Sequence, residues 1–282
     1  MILFFHQWQS ELLKLFARRR TYIGFVAFLA LELVIWLLFE FLNGEKRLAW
    51  LIARQGQAFE QYDSALTLAF IIIGLSVLLL GAIYLALVAG DIVAKENEDG
   101  HYRLLLVRPI SRVRLLFIKY LSCTCYTILL IQFIVWTSFL LGLILKGWGG
   151  GFFVAILDPP ILEFYPWGEG LERFFVSTLL ISFSMTIVSS IAFFFSCLPM
   201  KPAAATIGAL SYFLIDRIVR ETGFMDNYDQ FLLTKHISTW ALALKTSVPW
   251  PVIARSFTVI AAVNASLFIL GAAFFQARDL KS

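Results

Sequence analysis

The chain holds few residues spaced for covalent chemistry, and each candidate set lacks a necessary partner. Gly142 to Gly147 has the glycine spacing of a phosphate-binding loop, but Trp148 stands where a lysine would have to reach the phosphates. Gly74-Leu-Ser76 supplies part of a nucleophile motif, yet Val77 replaces its closing glycine. A serine nucleophile needs a neighbouring base, and His6, His101 and His236 all lie outside the long apolar stretches. Cys123 and Cys125 have no histidine or further cysteine at ligand spacing; with Cys197 they read as small buried hydrophobes. No catalytic residue and no metal ligand is expected.

What remains is charge and polarity inside apolar surroundings, which is costly in hydrocarbon and by default marks function. Glu32 falls in the middle of one apolar run, and two readings of it stand open. It faces a translocation path, or it is paired within the bundle or a dimer interface. Arg255 matches Glu40 in depth, so Glu40 is expected to pair with Arg255 or with Arg217. Lys119 lies near one end of its run and is expected to snorkel. Gln132 and Asn264 suit hydrogen bonds between helices better than a substrate site.

These residues must be positioned by membrane helices. Of 282 residues, 60% are hydrophobic and 15% charged, with mean hydropathy +0.82. That much apolar surface calls for lipid as solvent. Six apolar stretches reach the length of about 20 residues that a crossing helix needs, at about 21–42, 65–90, 115–145, 171–198, 202–219 and 252–276. The fifth is the weakest, short and running into Asp216 and Arg217. The expected fold is an all-α polytopic membrane protein, a single transmembrane unit over residues 1–282. The cations fall at the ends of the runs: Lys14 and Arg18-Arg19-Arg20, then Lys95, Arg103, Arg108, Arg112 and Arg114, then Lys201, then Arg278 and Lys281. Six crossings put all four groups on one side, which the positive-inside rule makes cytoplasmic with both termini. The same distribution excludes a nucleic-acid-binding face. The first run is too long for a cleavable signal and reads as a retained span.

The residues before it form an amphipathic helix. Phe4, Phe5, Trp8, Leu12, Leu15 and Phe16 share one sector, with Glu11 and Lys14 on the other. Such a helix lies in the membrane interface with Arg18, Arg19 and Arg20 at the lipid headgroups. Residues 146–170, rich in Gly, Pro and aromatics, are expected to fold over the outer surface. Residues 228–250 are expected to form one or two interfacial or re-entrant helices before the last span.

The most informative stretch follows the second run, from Gly90 to Tyr120. It carries Asp91, an acidic turn with Glu96, Glu98 and Asp99, then Gly100, Tyr102, Arg103, Leu104 to Leu106, Arg108, Pro109 to Arg112, and Lys119. This order resembles the corresponding loop of ABC-2 type ABC transporter permeases. The leader Glu11-Leu-Leu-Lys-Leu-Phe16 with its arginines and the ending Phe274-Phe-Gln-Ala-Arg-Asp-Leu280 are similar to the same family. The resemblance implies a permease subunit of an inner-membrane, multi-pass ABC exporter. It has no cofactor of its own; ATP and Mg belong to a separate ATPase subunit, and a second permease chain completes a homodimer or heterodimer. It further implies that the loop docks the ATPase through Asp91, Glu96, Glu98, Asp99, Gly100, Tyr102, Arg103, Leu105, Arg108 and Pro109. Charged ends around the apolar Leu104–Val107 centre suit that task. An intramembrane enzyme, or a secondary carrier without an ATPase partner, is the competing reading.

Overall fold

The computed structural model describes residues 2–99, 111–222 and 226–277. Among these, α1 (Ile2–Ala17) leads directly into α2 (Arg19–Phe41), followed by the short α3 (Gly44–Arg54) and α4 (Phe59–Tyr62). Next come α5 (Ala65–Ser76), a π-helical turn (Val77–Gly81) and α6 (Ala82–Glu98), then α7 (Arg112–Lys146). A hairpin of β1 (Phe152–Ile156) and β2 (Ile161–Tyr165) precedes α8 (Trp167–Cys197) and α9 (Pro202–Glu221). The 3-10 turn Asp226–Phe231, α10 (Leu233–Ser238) and the 3-10 turn Thr239–Leu244 lead to α11 (Trp250–Ala277).

Local chemistry sets several boundaries. Ser64 and Ser111 cap α5 and α7 by accepting the backbone N–H of Thr67 and Arg114, each at 3.3 Å. Pro202 opens α9 at a position where its missing N–H costs nothing. Gly147 takes a φ of 77° and ends α7.

The long helices run between two ends. At one end lie α1, the end of α6, the start of α7 and the end of α11, where the Arg112 guanidinium donates to the Gln276 carbonyl at 3.3 Å. At the other lie the hairpin, α3, α10 and the flanking 3-10 turns. Ser64 there donates to the Gly151 carbonyl at 2.5 Å, and Lys146 pairs with Glu45 and Asp63 at 2.6 and 2.8 Å.

At the centre is α8. Of its most apolar stretch 72% is buried, against 22% for α2 and 17% each for α9 and α11. Its buried face is rich in hydroxyls that join the neighbours: Ser189 with Thr127 at 2.6 Å and Ser190 with Tyr120 at 2.9 Å. In a membrane, where apolar burial does not discriminate protein from lipid, such small polar residues hold helices together.

Among the described residues, five helices, α2, α7, α8, α9 and α11, are long and apolar enough to cross a membrane. The expected second span differs: the π turn divides it, so neither half alone reaches that length. It nevertheless starts at the hairpin end and finishes at the α1 end, and it extends to Glu98 instead of stopping near residue 90. Three further features stand out. The 146–170 segment is a hairpin, with Phe152 opposite Tyr165 and Ile156 opposite Ile161, so the protein is not helical throughout. Residues 44–54, between the first two apolar stretches, form an amphipathic helix that buries Leu48 and Ile52 and exposes Trp50. The weak fifth stretch is helical because its charges are used: buried Asp216 accepts the N–H groups of Leu233 and Thr234 at the start of α10. Arg220 reaches the Thr234 carbonyl, Ser238 and Asp158.

Candidate functional site

A buried ion-pair cluster sits where the predicted docking loop leaves the bundle. In α7, Leu115, Lys119, Ser122 and Tyr126 recur at helical spacing and all are buried. Lys119 is therefore carried into the protein. Its Nζ lies 2.9 Å from Glu11 Oε2 of α1 and 2.7 Å from Glu96 Oε2 of α6. Arg18 approaches the other oxygen of Glu96 at 3.4 Å, and Lys14 the other oxygen of Glu11 at 2.5 Å. Two carboxylates thus share one ammonium, with two further cations outside. Burial opposes ionisation of Glu11, but Lys119 and Lys14 outweigh it and hold the carboxyl below its usual value. The cluster ties three elements together three residues before the last described residue of the loop.

This arrangement corrects two expectations. Lys119 does not snorkel, because its two counter-ions lie inside. Glu11 is on the packed side of α1, since the sector facing α7 centres on Glu11 and Leu15, roughly 60° from the middle of the apolar sector. Glu96, expected in the docking set, is buried and pairs with Lys119 and Arg18.

The other predicted docking residues separate clearly. Asp91 is buried in α6, whereas Glu98 and Asp99 are exposed at its end. Gly100, Tyr102, Arg103, Leu105, Arg108 and Pro109 lie outside the described residues. On α1, Phe5 is exposed, while Trp8, Leu12 and Phe16 are half-buried, and Phe16 packs on Phe25 and Tyr126. Arg18 is half-buried and Arg19 exposed. Arg20 belongs to α2 by its backbone, and its side chain lies outside the described residues. The apolar sector of α1 is thus wider than α7 covers, leaving Phe5 toward the surroundings.

Within the spans, Glu32 is buried and accepts from Thr137 Oγ1 of α7 at 2.8 Å. Gln132 donates to Ser182 Oγ at 2.8 Å and to the Thr178 carbonyl at 3.3 Å, and Asn264 donates to Thr186 Oγ1 at 2.9 Å. Both make bonds between helices. Glu40 and Arg255 are exposed, and neither has an ion-pair partner among the described residues. Arg217 turns instead to Glu221, one turn along its own helix, at 2.8 Å.

At the hairpin end, sequence reading missed Arg173. It donates to the carbonyls of Ala243, Lys245 and Thr246, pairs with Glu169, and stacks 4.4 Å from the Tyr165 ring. Tyr165 in turn donates to the Leu244 carbonyl at 2.5 Å. Nothing in the sequence around Arg173 distinguishes it from a topological cation. For Lys119 a signal did exist: it shares the helical phase of Leu115, Ser122 and Tyr126.

Comparison with known proteins places this geometry. Over 72 residues, 26% of this chain, the sequence is 38% identical to the uncharacterized protein YhcI of Bacillus subtilis (strain 168), and the match spans 23% of that protein. A family model described as ABC-2 family transporter protein matches residues 8–216, from within α1 to within α9. The chain belongs to the ABC-2 family of transporter proteins, as a multi-pass membrane protein.

Proposed function

We propose that this chain is the permease subunit of an ABC exporter, moving substrate with ATP hydrolysed on a separate nucleotide-binding subunit. The observation that carries the reading is the Glu11–Lys119–Glu96 cluster. It clamps the end of α6, where the loop begins, to α1 and α7. Force applied to residues 99–111 by an ATPase would therefore reach the spans through charge-assisted contacts, not through a slack loop. The ATP and Mg sites belong to that partner. A second permease chain, identical or homologous, faces this one across the translocation path.

Six crossings complete the topology, with the α5–π–α6 stack as the second. Two facts support this: the stack joins the same two ends as its neighbours, and the basic groups then share one side. Both termini are cytoplasmic in a cell membrane, and α1 lies in the inner interface with Phe5 toward lipid.

The docking test is charge reversal. Glu98→Lys with Asp99→Lys should release a co-purifying ABC ATPase while leaving the permease folded, because both side chains are exposed. Undiminished ATPase recovery from that double variant would remove the docking assignment. Glu96→Lys is unsuitable for this purpose, since it breaks an internal cluster.

A further inference from the structure

The hairpin end contains an open groove of about 490 Å³ with an unusual polarity. One wall is the last two turns of α2, with Ile35, Phe39 and Leu42; the other is α5, with Ile71 and Leu75. Phe153 of β1 and Leu48 of α3 close its upper part. The volume is within the range of about 300–1,000 Å³ typical of small-molecule sites. The groove faces outward: Leu42 is 59% exposed and Leu75 is 40% exposed. The cationic side chain on its lining is Arg47, at the end where α3 turns away from α2.

The elbow makes this shape necessary. Asn43 adopts a left-handed φ of 54°. A Cβ on Gly44 would meet the Phe39 ring at 2.4 Å, so only glycine lets α3 fold back so closely. The result places the first turn of α3 over the mouth of the groove. Glu45, the neighbouring acid, is taken by Lys146 at 2.6 Å. Arg47 is exposed and has no ion-pair partner among the described residues. An apolar trough starting at membrane depth and ending at an uncompensated guanidinium complements an amphiphile with an anionic head.

We propose that this groove binds an anionic phospholipid, with one acyl chain between α2 and α5 and the phosphate on Arg47. The site lies in the leaflet at the end of α2 remote from α1. It stands apart from the docking-loop reading and does not depend on it. Guanidinium groups suit this role because their fork matches a phosphate, and exposed Trp50 on the same helix is a side chain suited to headgroup depth.

The test uses the purified full chain with phosphatidylglycerol or phosphatidylcholine of identical acyl chains, counting retained lipid by native mass spectrometry. Wild type should retain phosphatidylglycerol in preference. Arg47→Ala should reduce that preference by about five-fold, the weight of one cation at an anionic headgroup. Leu75→Trp, which fills the trough, should lower retention of both lipids. If it melts below wild type without lipid, Leu42→Trp at the more exposed mouth takes its place. Retention unchanged by filling, or a lipid preference unchanged in Arg47→Ala, would overturn the site. So would disulfide-linked dimers of Leu38→Cys, on a background lacking the native cysteines, that exclude lipid, because a second copy would then occupy the groove.

Discussion

Lys119 satisfies two buried carboxylates at once, so its removal strands both. Taking one partner from a buried charge cluster costs about 3–5 kcal/mol, whereas removing every charge can be nearly neutral. Lys119→Met should therefore lower thermal stability in detergent markedly. Adding Glu11→Gln and Glu96→Gln should restore most of the loss; no recovery would mean that the charges contribute packing alone. Glu11 also sets a pH signature. Its folded value is depressed below the ordinary 4.5, so its contribution is full above that unfolded value and drains as pH falls through the folded one. The stability gap between wild type and Glu11→Gln should stay constant near neutrality and close below about pH 4.5. Glu32 offers a different test. Gln keeps an acceptor for Thr137, so Glu32→Gln should remain folded, with a cost near ~1 kcal/mol or less. Folded protein that no longer supports transport-coupled ATPase activity would favour the path-facing reading. Unchanged coupling would favour bundle pairing.

At the scale of elements, close helix approach carries much of the stability. A Cβ at Gly142 of α7 would sit 2.5 Å from the Ala65 carbonyl oxygen. That neighbour is backbone and cannot turn aside, so Gly142→Ala must push α5 from α7 at a cost of about 1–3 kcal/mol. Gly74→Ala is the control, because nothing lies within 4 Å of its Cβ position; it should be neutral or slightly stabilising by helix propensity. Thermal melts of the two variants decide the matter, and equal losses would refute the packing argument. The same elements show what could be read beforehand. Long apolar runs located the five helices of spanning length among the described residues, because lipid imposes a length on any crossing helix. The π turn was illegible, since Val77 to Gly81 continues an apolar run and shows no change of composition. The hairpin at 152–165 hid behind glycines and prolines that fit any surface loop. On α1 the apolar sector was clear, but Glu11 was placed on the opposite sector because its counter-ion lies 108 positions away on α7. The helical phase of Lys119 marks it as buried, but nothing local in either helix says that Glu11 is its partner.

At the scale of the whole molecule, the alternation of helix ends makes a topological statement that labelling can check. The tip of the hairpin exposes Leu157 almost completely, at 96%, while Lys201 is exposed between α8 and α9 at the opposite end. With six crossings and cytoplasmic termini, Leu157 lies outside the cell and Lys201 inside. Cys123 and Cys197 are buried and Cys125 is half-buried, so a background lacking all three removes residual reaction. A membrane-impermeant maleimide applied to intact cells should modify Leu157→Cys at once and Lys201→Cys only after permeabilisation. Were the α5–π–α6 stack not a crossing, Leu157 and the N-terminus would share a side, and a tag before α1 would be reached together with Leu157→Cys. The stack is the element on which the whole arrangement turns. It carries the chain from the hairpin end to the α1 end, where Glu96 meets Lys119.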